Sequence, residues 1–510
     1  MNRLVVVSNR VPALVAGSQA GGLAVALEAL LQKRGGLWFG WSGRTAKDAA
    51  EKPVRLVSAG AVEYATVDLT PHEHEGYYSR FSNGVLWPLL HTMPELMAFN
   101  RRDAQTYREV NARFADALVR LLRPSDLIWV HDYHLLLLPA LLRARGVHNP
   151  IGCFLHVPFA TPDVIAAAPD VPGMLKGLLA ADLVGFQTAH DLNNFTAAAQ
   201  EMTGAVQLER SWLNLSGRRT RLGVFPVEID AKVFCGIAAE ALRAPASERL
   251  RRSLGTQKLI LGVDRLDPTK GLLQRLAGLR RMMEKYPEWQ RRATLLQIAA
   301  VSRNDVPTYR ELRRELDREA GNLNSDLGDP DWVPLRLVAK AGPREVLAGY
   351  MRQARVGLVT PLRDGMNLVA KEFVAAQDPQ DPGVLVLSRF AGAARQLGAA
   401  VMVNPYDPDE MADALHAALR MELPERQARW QEMWRVIEGT SSLGWGRGFL
   451  AALARAAAAP ARSPAEDAGS LAAPHLGLVE RVRSEIDTRR GTPPASAPAG
   501  VAPSSLLRPH

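Results

Sequence analysis

The chain has 510 residues, of which 47% are hydrophobic and 23% charged, and its formal net charge at pH 7 is +9. This composition is that of a globular protein with two or three domains, and no apolar run is long enough to span a bilayer, so no membrane association is expected. Lys and Arg are dispersed rather than clustered or interleaved with aromatic residues. We therefore expect a small anionic substrate and no nucleic-acid partner.

The N-terminus and the cysteines indicate the cellular setting. Met1 is followed at once by a strand-like run, without the basic, apolar and cleavage segments of a secretory signal. Cys153 and Cys235 are too few for a disulfide framework, and Cys153 lies in an apolar run where a small buried side chain is expected. These features favour a reducing, cytoplasmic environment.

Apolar runs in the first 235 residues each end in polar residues, and helix-like segments separate them. Residues 4–7 lead into Arg10, and a Gly-rich turn at Gly22 then opens an Ala- and Leu-rich helix. The later runs and the polar residues after them are 127–130 before Asp132, 151–155 before His156 and 183–186 before Gln187. Strands that alternate with helices predict βαβ units and a mostly parallel sheet.

Between residues 36 and 90 this alternation is less regular. Residues 36–43 and 76–87 are aromatic and Gly-rich, which predicts loops. Core packing would account for Trp41 and Trp87. Aromatic residues in Gly-flanked loops beside Arg10 would equally suit the wall of a sugar pocket, and both interpretations stay open.

The strand–helix pattern restarts after residue 235. Its apolar runs are 259–263, 294–301, 356–359 and 384–387. Because one twisted sheet would otherwise carry too many strands, we predict two doubly wound α/β domains, 1–235 and 236–456, that face a cleft. The last helix of the second domain could return to the first. Residues 457–510 are rich in Ala, Pro, Ser and Arg, which predicts a disordered tail.

The most informative stretch is 356–372, which indicates a buried strand, a polar turn and a helix that begins near Leu368. Asp364 and Gly365 are turn residues, and Gly365 can take a positive φ. The backbone N–H groups from Gly365 through Met366 and Asn367 to Leu368 then lie at a helix N-terminus, where an anion binds well. An ordinary strand–helix turn would have the same sequence, so the rest of the chain has to decide.

Cations follow the strands of the second domain. Arg265 and Lys270 lie five residues apart after one strand, and Arg303 follows the next. A forked guanidinium and a point-charge ammonium together suit a diphosphate, although solvated surface charges would look the same. Glu372 stands where an acidic residue could accept hydrogen bonds from ribose hydroxyls.

Polar groups of the first domain would face these cations across the cleft. Arg10 offers a second phosphate site. Asp132 and His156 suit recognition of sugar hydroxyls or proton transfer, although a core histidine is an equally good explanation of His156. His, Cys and Asp show no metal-ligand spacing, and there is no Walker loop or nucleophile elbow.

At this point the motifs identify a resemblance that covers about residues 1–455. The chain is similar to the trehalose-6-phosphate synthase family, whose members are retaining glycosyltransferases with two Rossmann-like domains in the glycosyltransferase B fold. The matching motifs are Ser8-Asn9-Arg10, Gly21-Gly22-Leu23, Trp38 to Gly43, Tyr78 to Trp87, Trp129 to His134, Phe154 to Pro158, Gly185 to Thr188, Val263 to Gly271 and Pro361 to Glu372.

The resemblance implies that glucose passes from a nucleoside-diphosphate glucose to glucose 6-phosphate with retention, and that neither a metal nor another cofactor is required. On the donor side it implies roles for Gly22, Arg265, Lys270, Asp364, Gly365, Met366, Asn367, Leu368, Glu372 and His156. On the acceptor side it implies roles for Arg10, Trp41, Tyr78, Trp87, Asp132 and Arg303. Domain 1–235 would bind the acceptor and domain 236–456 the nucleotide sugar, with Arg265, Lys270, Asp132 and His156 as the catalytic set.

Other functions stay open at this stage. A related synthase could use another phosphorylated acceptor, such as glycerol 3-phosphate. A regulator that binds a nucleotide sugar without turnover is a second alternative. Glu228 and residues 341–343 differ from the usual family pattern, which leaves the donor base open among UDP, ADP and GDP, although UDP is the most usual. Assembly into a homo-oligomer is also left open.

Overall fold

The structure is a computed structural model that describes residues 2–12, 22–49, 53–209, 211–303 and 305–459, with the backbone alone for residues 22–26. Within these ranges the chain forms one ten-stranded sheet and one six-stranded sheet. Nearly all of the tail predicted at 457–510 lies outside the described residues. The prediction of an α/β protein with two sheet-based domains is confirmed, while the domain bounds at 235 and 456 stay predictions.

The first sheet has the order β3-β4-β2-β1-β5-β6-β7-β10-β9-β8 and is parallel except where β3 and β4, and β8, β9 and β10, pair as antiparallel neighbours at its two ends. Its central strands are apolar on both faces because helices cover both sides. The strands are β1 (Leu4–Arg10), β2 (Gly36–Thr45), β3 (Arg55–Ala59), β4 (Val62–Leu69), β5 (Leu127–His131), β6 (Ile151–Phe154), β7 (Leu183–Phe186), β8 (Val206–Glu209), β9 (Trp212–Leu215) and β10 (Arg218–Val224).

The second sheet is parallel throughout, in the order β13-β12-β11-β14-β15-β16. In a parallel sheet all strands end at the same edge, so the loops after β11, β12 and β14 meet there. Its strands are β11 (Lys258–Arg265), β12 (Ala293–Ala300), β13 (Leu335–Val338), β14 (Val356–Val359), β15 (Val384–Ser388) and β16 (Val401–Val403).

Helices pack against both sheets. The α-helices are α1 (Gly22–Arg34), α2 (Pro71–Glu73), α3 (Trp87–Leu90), α4 (Arg101–Val119), α5 (Leu138–Ala144), α6 (Pro162–Ile165), α7 (Val171–Leu178), α8 (Ala189–Thr203), α9 (Ala231–Ala241), α10 (Pro245–Leu254), α11 (Leu272–Lys285), α12 (Pro307–Leu327), α13 (Arg344–Gln353), α14 (Leu368–Ala376), α15 (Pro408–Arg420), α16 (Leu423–Ile437) and α17 (Ser442–Ala457). A π-helix spans His74–Leu86, and 3-10 helices span Pro94–Leu96, Tyr133–Leu135, Pro268–Lys270, Pro287–Trp289 and Gly392–Arg395.

The prediction of two loops between residues 36 and 90 is wrong. The first segment is strand β2, whose glycine at Gly40 is required because a Cβ there would lie 2.2 Å from the Ser8 carbonyl oxygen of β1. The second is the π-helix, which follows the capping box of Thr70 and Glu73. Gly40 in the first segment and Gly76 in the second mark close packing rather than turns, and the sequence pattern alone does not distinguish these two causes.

Helix α17 returns from the second sheet to pack on the first. Phe449 lies over Gly152 and Gly185, where an added Cβ would in each case approach the Phe449 ring to 2.7 Å. The same ring stacks on Trp129 with centroids 4.6 Å apart. The chain therefore crosses between the sheets twice, once before α9 and once before α17. Among the described residues, no helix is long and apolar enough to cross a membrane.

Candidate active site

The loops at the carboxyl ends of the two sheets touch one another. Gly365, after β14, packs so closely on the loop after β6 that an added Cβ would lie 2.1 Å from the His156 carbonyl oxygen. Trp87 at the start of α3 donates its indole N–H to Asp267, after β11, at 3.3 Å. The residues predicted on the two domains therefore meet in one region.

The loop before α14 is built as a polar helix N-terminus. Asn367 is the N-cap with φ 76°, and its side-chain oxygen accepts a hydrogen bond from the Ala370 N–H at 3.3 Å. Its amide also donates to Asp364 at 3.1 Å. The left-handed residue is thus Asn367, and Gly365 does not adopt the positive φ that a glycine in this turn could take. Gly365 is needed for its contact with the His156 carbonyl group instead.

Lys270 and Asp364 form a nearly buried ion pair, in which the ammonium group donates to Asp364 Oδ2. Burial is the largest single influence on Asp364 and would raise its pKa, but the Lys270 charge and hydrogen bond, together with His91 and Asn367, hold this pKa below its ordinary value. Beneath the pair, the fully buried Arg275 donates to Asp264 at 2.7 Å and to the Lys270 carbonyl oxygen at 3.4 Å. These contacts fix the backbone that carries Lys270.

Asp267 is a buried carboxylate among cations. It accepts a hydrogen bond from the Tyr309 hydroxyl at 3.1 Å and lies 3.6 Å from Arg303 and 3.8 Å from Arg265. Burial would raise the pKa of Asp267, but Arg303, Arg265 and then Lys270 outweigh burial and hold it well below its ordinary value. The carboxylate therefore stays charged, and it helps to hold the nearly buried Arg303 in place.

Both arginines lie near the Trp87 ring. The guanidinium carbon of Arg303 is 4.0 Å from the Trp87 ring centroid, and that of Arg265 is 5.6 Å from it. The side chain of Arg265 is 49% exposed, whereas that of Arg303 is 9% exposed and also donates to the Tyr133 hydroxyl at 3.3 Å. Arg265 can thus reach a ligand freely, while Arg303 is held in one position.

Aromatic rings connect this centre to Arg10. We name the series Trp41, Tyr78, His134, Tyr133 and Trp87 the aromatic wall. Successive centroids along it lie 5.5, 6.0, 4.0 and 5.6 Å apart. The Arg10 guanidinium lies 5.8 Å from the Trp41 centroid, at one end of the wall, and Arg303 lies at the other. Sequence reasoning left core packing and a pocket wall open for Trp41 and Trp87, and both are buried yet in contact with these cations.

Asp132 and His156 lie at the ends of neighbouring strands, and Asp132 accepts a hydrogen bond from the His156 backbone N–H at 3.2 Å. Asp132 has φ 72°, a left-handed conformation that is strained for this residue. Burial raises the pKa of Asp132 to about 6 and lowers the pKa of His156 to about 3. The imidazole is therefore neutral at physiological pH.

Two further residues of the predicted donor site, Glu372 and Gly22, lie in α14 and at the start of α1. Glu372 is one turn into α14, with its side chain 19% exposed and 3.9 Å from Arg344. Burial raises the pKa of Glu372 to about 7, and Arg344 opposes this. Gly22 is the first residue of α1, and the residues just before it lie outside the described ranges. Met366 is buried and Leu368 opens α14.

Sequence reasoning missed the residues that support the cations, namely Asp264, Asp267, Arg275, Tyr133 and Tyr309. A signal was present for Asp267, since an acid between Arg265 and Lys270 in a proposed anion site requires an explanation. Arg275 stands at a core-facing position of α11, which an amphipathic pattern would have marked as anomalous. Among the described residues, no group of three or more His, Cys, Asp or Glu side chains is arranged to hold a metal ion.

Comparisons with known proteins agree with this geometry. The trehalose-6-phosphate synthase of Sinorhizobium fredii (strain NBRC 101917 / NGR234) is 45% identical over 453 residues, which cover 88% of this chain and 98% of the relative. A crystal structure of a UDP-forming alpha,alpha-trehalose-phosphate synthase from Burkholderia vietnamiensis superposes with a TM-score of 0.88 at 43% identity and covers 90% of this chain and 98% of that one.

A second solved structure is from Burkholderia xenovorans, a UDP-forming alpha,alpha-trehalose-phosphate synthase in complex with glucose-6-phosphate. Its TM-score is 0.86 at 41% identity, with 89% of this chain and all of that chain covered. The family model for glycosyltransferase family 20 matches residues 5–455. The match spans both sheets and every residue of the site, and the chain belongs to glycosyltransferase family 20.

Proposed function

We propose that this enzyme transfers glucose from UDP-glucose to glucose 6-phosphate with retention of configuration, giving trehalose 6-phosphate and UDP. The observation that carries the proposal is the position of Arg265 and Arg303 against one indole, Trp87. Two cations within about 6 Å of one ring suit two phosphorylated substrates whose sugars meet close to it. The similar proteins are UDP-forming, and one of them binds glucose-6-phosphate, which supports both substrate assignments.

On the donor side, Arg265 and Lys270 bind the diphosphate. Lys270 is paired with Asp364. When the diphosphate binds, Lys270 turns to it, and Asp364 becomes free to accept hydrogen bonds from glucose hydroxyls. The N–H groups from Gly365 to Leu368 add the positive end of the α14 dipole. Glu372 accepts hydrogen bonds from the ribose, and Gly22, at the start of α1, contacts the donor.

On the acceptor side, the phosphate of glucose 6-phosphate is bound by Arg303, Arg10 and the Tyr78 hydroxyl. The aromatic wall excludes water along this path, and Trp41 and Trp87 hold the two arginines by cation–π contacts. Asp132 accepts a hydrogen bond from an acceptor hydroxyl. A forked guanidinium at each end of the wall binds a phosphate more selectively than a lysine would.

The reaction then proceeds on one face of the donor sugar. The bond from the anomeric carbon to the diphosphate oxygen breaks, the bond from that carbon to the acceptor oxygen forms, and the acceptor proton passes to the leaving phosphate. Arg265 and Lys270 stabilise the charge that grows on the diphosphate, and His156 and Asp364 orient the donor glucose. This catalysis depends on positioning and electrostatic stabilisation, and the proposal assigns both to these residues.

The experiment that tests this function measures product formation with UDP-, ADP- and GDP-glucose in parallel, each with glucose 6-phosphate or glycerol 3-phosphate. Each reaction is run with and without a chelator. We expect trehalose 6-phosphate from UDP-glucose, unchanged by chelator. Turnover with glycerol 3-phosphate but not with glucose 6-phosphate would show that the acceptor is a different one. Tight binding of the donor without any product would favour a regulator.

We also place the enzyme in the cytoplasm with these small molecules as its partners. Size-exclusion chromatography with light scattering would show whether it forms a homo-oligomer.

A further inference from the structure

His131 ends β5 and lies directly behind His156. Its side chain is buried, with 1% of its surface exposed. The His131 Nδ1 and His156 Nε2 atoms are 3.0 Å apart, and the two rings stack with centroids 5.3 Å apart and planes 24° apart. This distance is that of a hydrogen bond, so one of the two nitrogens carries a proton and the other accepts it.

The surroundings of His131 decide which nitrogen donates. Both rings are neutral, because burial lowers both pKa values, so each ring carries one proton. If His156 donated, the His131 proton would be on Nε2, a buried atom that has no hydrogen-bond partner among the described residues. A buried N–H without an acceptor is rarer and more costly than a buried lone pair without a donor. The favoured arrangement has His131 donating from Nδ1.

This arrangement determines what His156 offers to a ligand. Its Nε2 accepts from His131, so its single proton is on Nδ1. That atom has no hydrogen-bond partner among the residues the structure describes, and the His156 side chain is partly exposed. The rings of Phe154 and Trp445, with centroids 4.6 and 6.0 Å away, hold the imidazole in place.

We propose that His131 is a positioning residue that fixes His156 in the Nδ1–H tautomer, so that His156 presents a hydrogen-bond donor to the donor sugar. A hydroxyl oxygen of the sugar is the matching acceptor. The choice of tautomer through the second ring nitrogen is a general property of paired histidines. The identification of the ligand as the donor sugar rests on the proposed function, whereas the assignment of the His156 tautomer does not.

The first test reads the tautomers without turnover. Full-length protein labelled with 15N-histidine is measured by two-bond 1H–15N correlation spectra, in which the protonated nitrogen of a neutral ring is distinguished from the other by its 15N shift. His131→Asn and His156→Asn variants assign the signals. We expect both histidines to be protonated on Nδ1. Protonation of His156 on Nε2 would overturn the proposal, whatever the enzyme proves to transfer.

The second test uses matched amides. His131→Asn places an amide close to the position of Nδ1 and can still donate to His156, whereas His131→Gln places it near Nε2. We expect H131N to keep most activity and H131Q to lose about 10- to 100-fold in kcat/KM for the sugar donor, with the KM for glucose 6-phosphate unchanged.

Thermal melts and circular dichroism establish that both variants fold. Equal activity of folded H131N and H131Q would refute a role for His131 in tautomer selection. H131L serves as a further variant that cannot donate. If it fails to fold, the comparison of the two amides still decides.

Discussion

The charge pair between Lys371 and Glu228 allows a quantitative test of how α14 is held. Lys371 has a fully buried side chain and donates to Glu228 at 2.7 Å and to the Val227 carbonyl oxygen at 2.8 Å. Gln396 donates to the second Glu228 oxygen at 2.9 Å. Lys371 is adjacent to Glu372 in α14, so the pair ties that helix to the segment that connects the two sheets.

Breaking a pair of this kind costs more than the pair itself contributes. Glu228→Gln leaves a buried ammonium without a countercharge, and Lys371→Met leaves the carboxylate with Gln396 alone. Removal of one partner of a buried pair costs about 3–5 kcal/mol, and we expect each single variant near 3 kcal/mol because Gln396 and the Val227 carbonyl remain. The double variant E228Q/K371M removes both charges, and we expect it within about 1 kcal/mol of the original protein.

The pH dependence has a definite sign. Burial lowers the pKa of Lys371 in the folded protein, although Glu228 opposes this. Since the unfolded value of about 10.5 is higher, the unfolded state binds more protons between the two values, and the Lys371 contribution to stability rises with pH there. In E228Q the opposing charge of Glu228 is gone, so the pKa of Lys371 in the folded protein falls further and the pH range between the folded and unfolded values extends to lower pH. The variant therefore recovers part of its stability as the pH is raised through this range.

Urea unfolding followed by tryptophan fluorescence measures these differences. Trp430 donates its indole N–H to the Val374 carbonyl oxygen of α14 at 3.0 Å and therefore reports on this helix. The control is Arg313→Met, which breaks an exposed pair with Asp317 on one face of α12 and should cost less than about 0.5 kcal/mol. The reasoning would be refuted if E228Q and K371M were no less stable than this control. It would also be refuted if the double variant lost as much free energy of unfolding as the two single variants together.

Three further predictions concern the proposed site. Arg265→Ala and Lys270→Ala should each lower kcat by about 100-fold or more without a loss of fold, as judged by circular dichroism, and near-normal turnover in either would exclude the diphosphate role. Burial raises the pKa of Glu372 to about 7, and in the proposed function its carboxylate form binds ribose, so the KM for UDP-glucose should rise as the pH falls through 7. The variant E372Q should have a KM for UDP-glucose about tenfold higher, and this KM should not depend on pH in that range. A chain that ends at Ala459 should keep its activity, and a folded but inactive truncation would assign a function to the rest.

Local signals were sufficient where sequence and structure agree. Strand β14 begins at Val356 and helix α14 at Leu368, as the change from an apolar run to a helical pattern predicts. The position of Arg265, Lys270 and Arg303 after neighbouring parallel strands also follows from the alternation of strands and helices. In each case the decisive information lies within about ten residues of chain.

Tertiary contacts decide where sequence reasoning fails. The left-handed residue before α14 is Asn367 rather than Gly365, because Gly365 is required by a carbonyl group some two hundred residues away in the chain. Strand β2 contains glycines for the same reason, which made it resemble a loop. The role of Asp267 likewise depends on Tyr309 and Arg303, and no spacing rule links these three positions.

The supporting residues explain why the site can concentrate positive charge without losing its shape. Four cations of the second domain, Arg265, Lys270, Arg275 and Arg303, lie close to three buried carboxylates, Asp264, Asp267 and Asp364. The carboxylates hold Lys270, Arg275 and Arg303 in place, and of the four cations only Arg265 is largely exposed. In the proposed function, a diphosphate that binds here has to draw only Lys270 away from its carboxylate partner, because Arg265 is already exposed. Because these contacts form on folding, little reorganisation is left for the reaction itself, which is the condition under which electrostatic stabilisation of a leaving group is most effective.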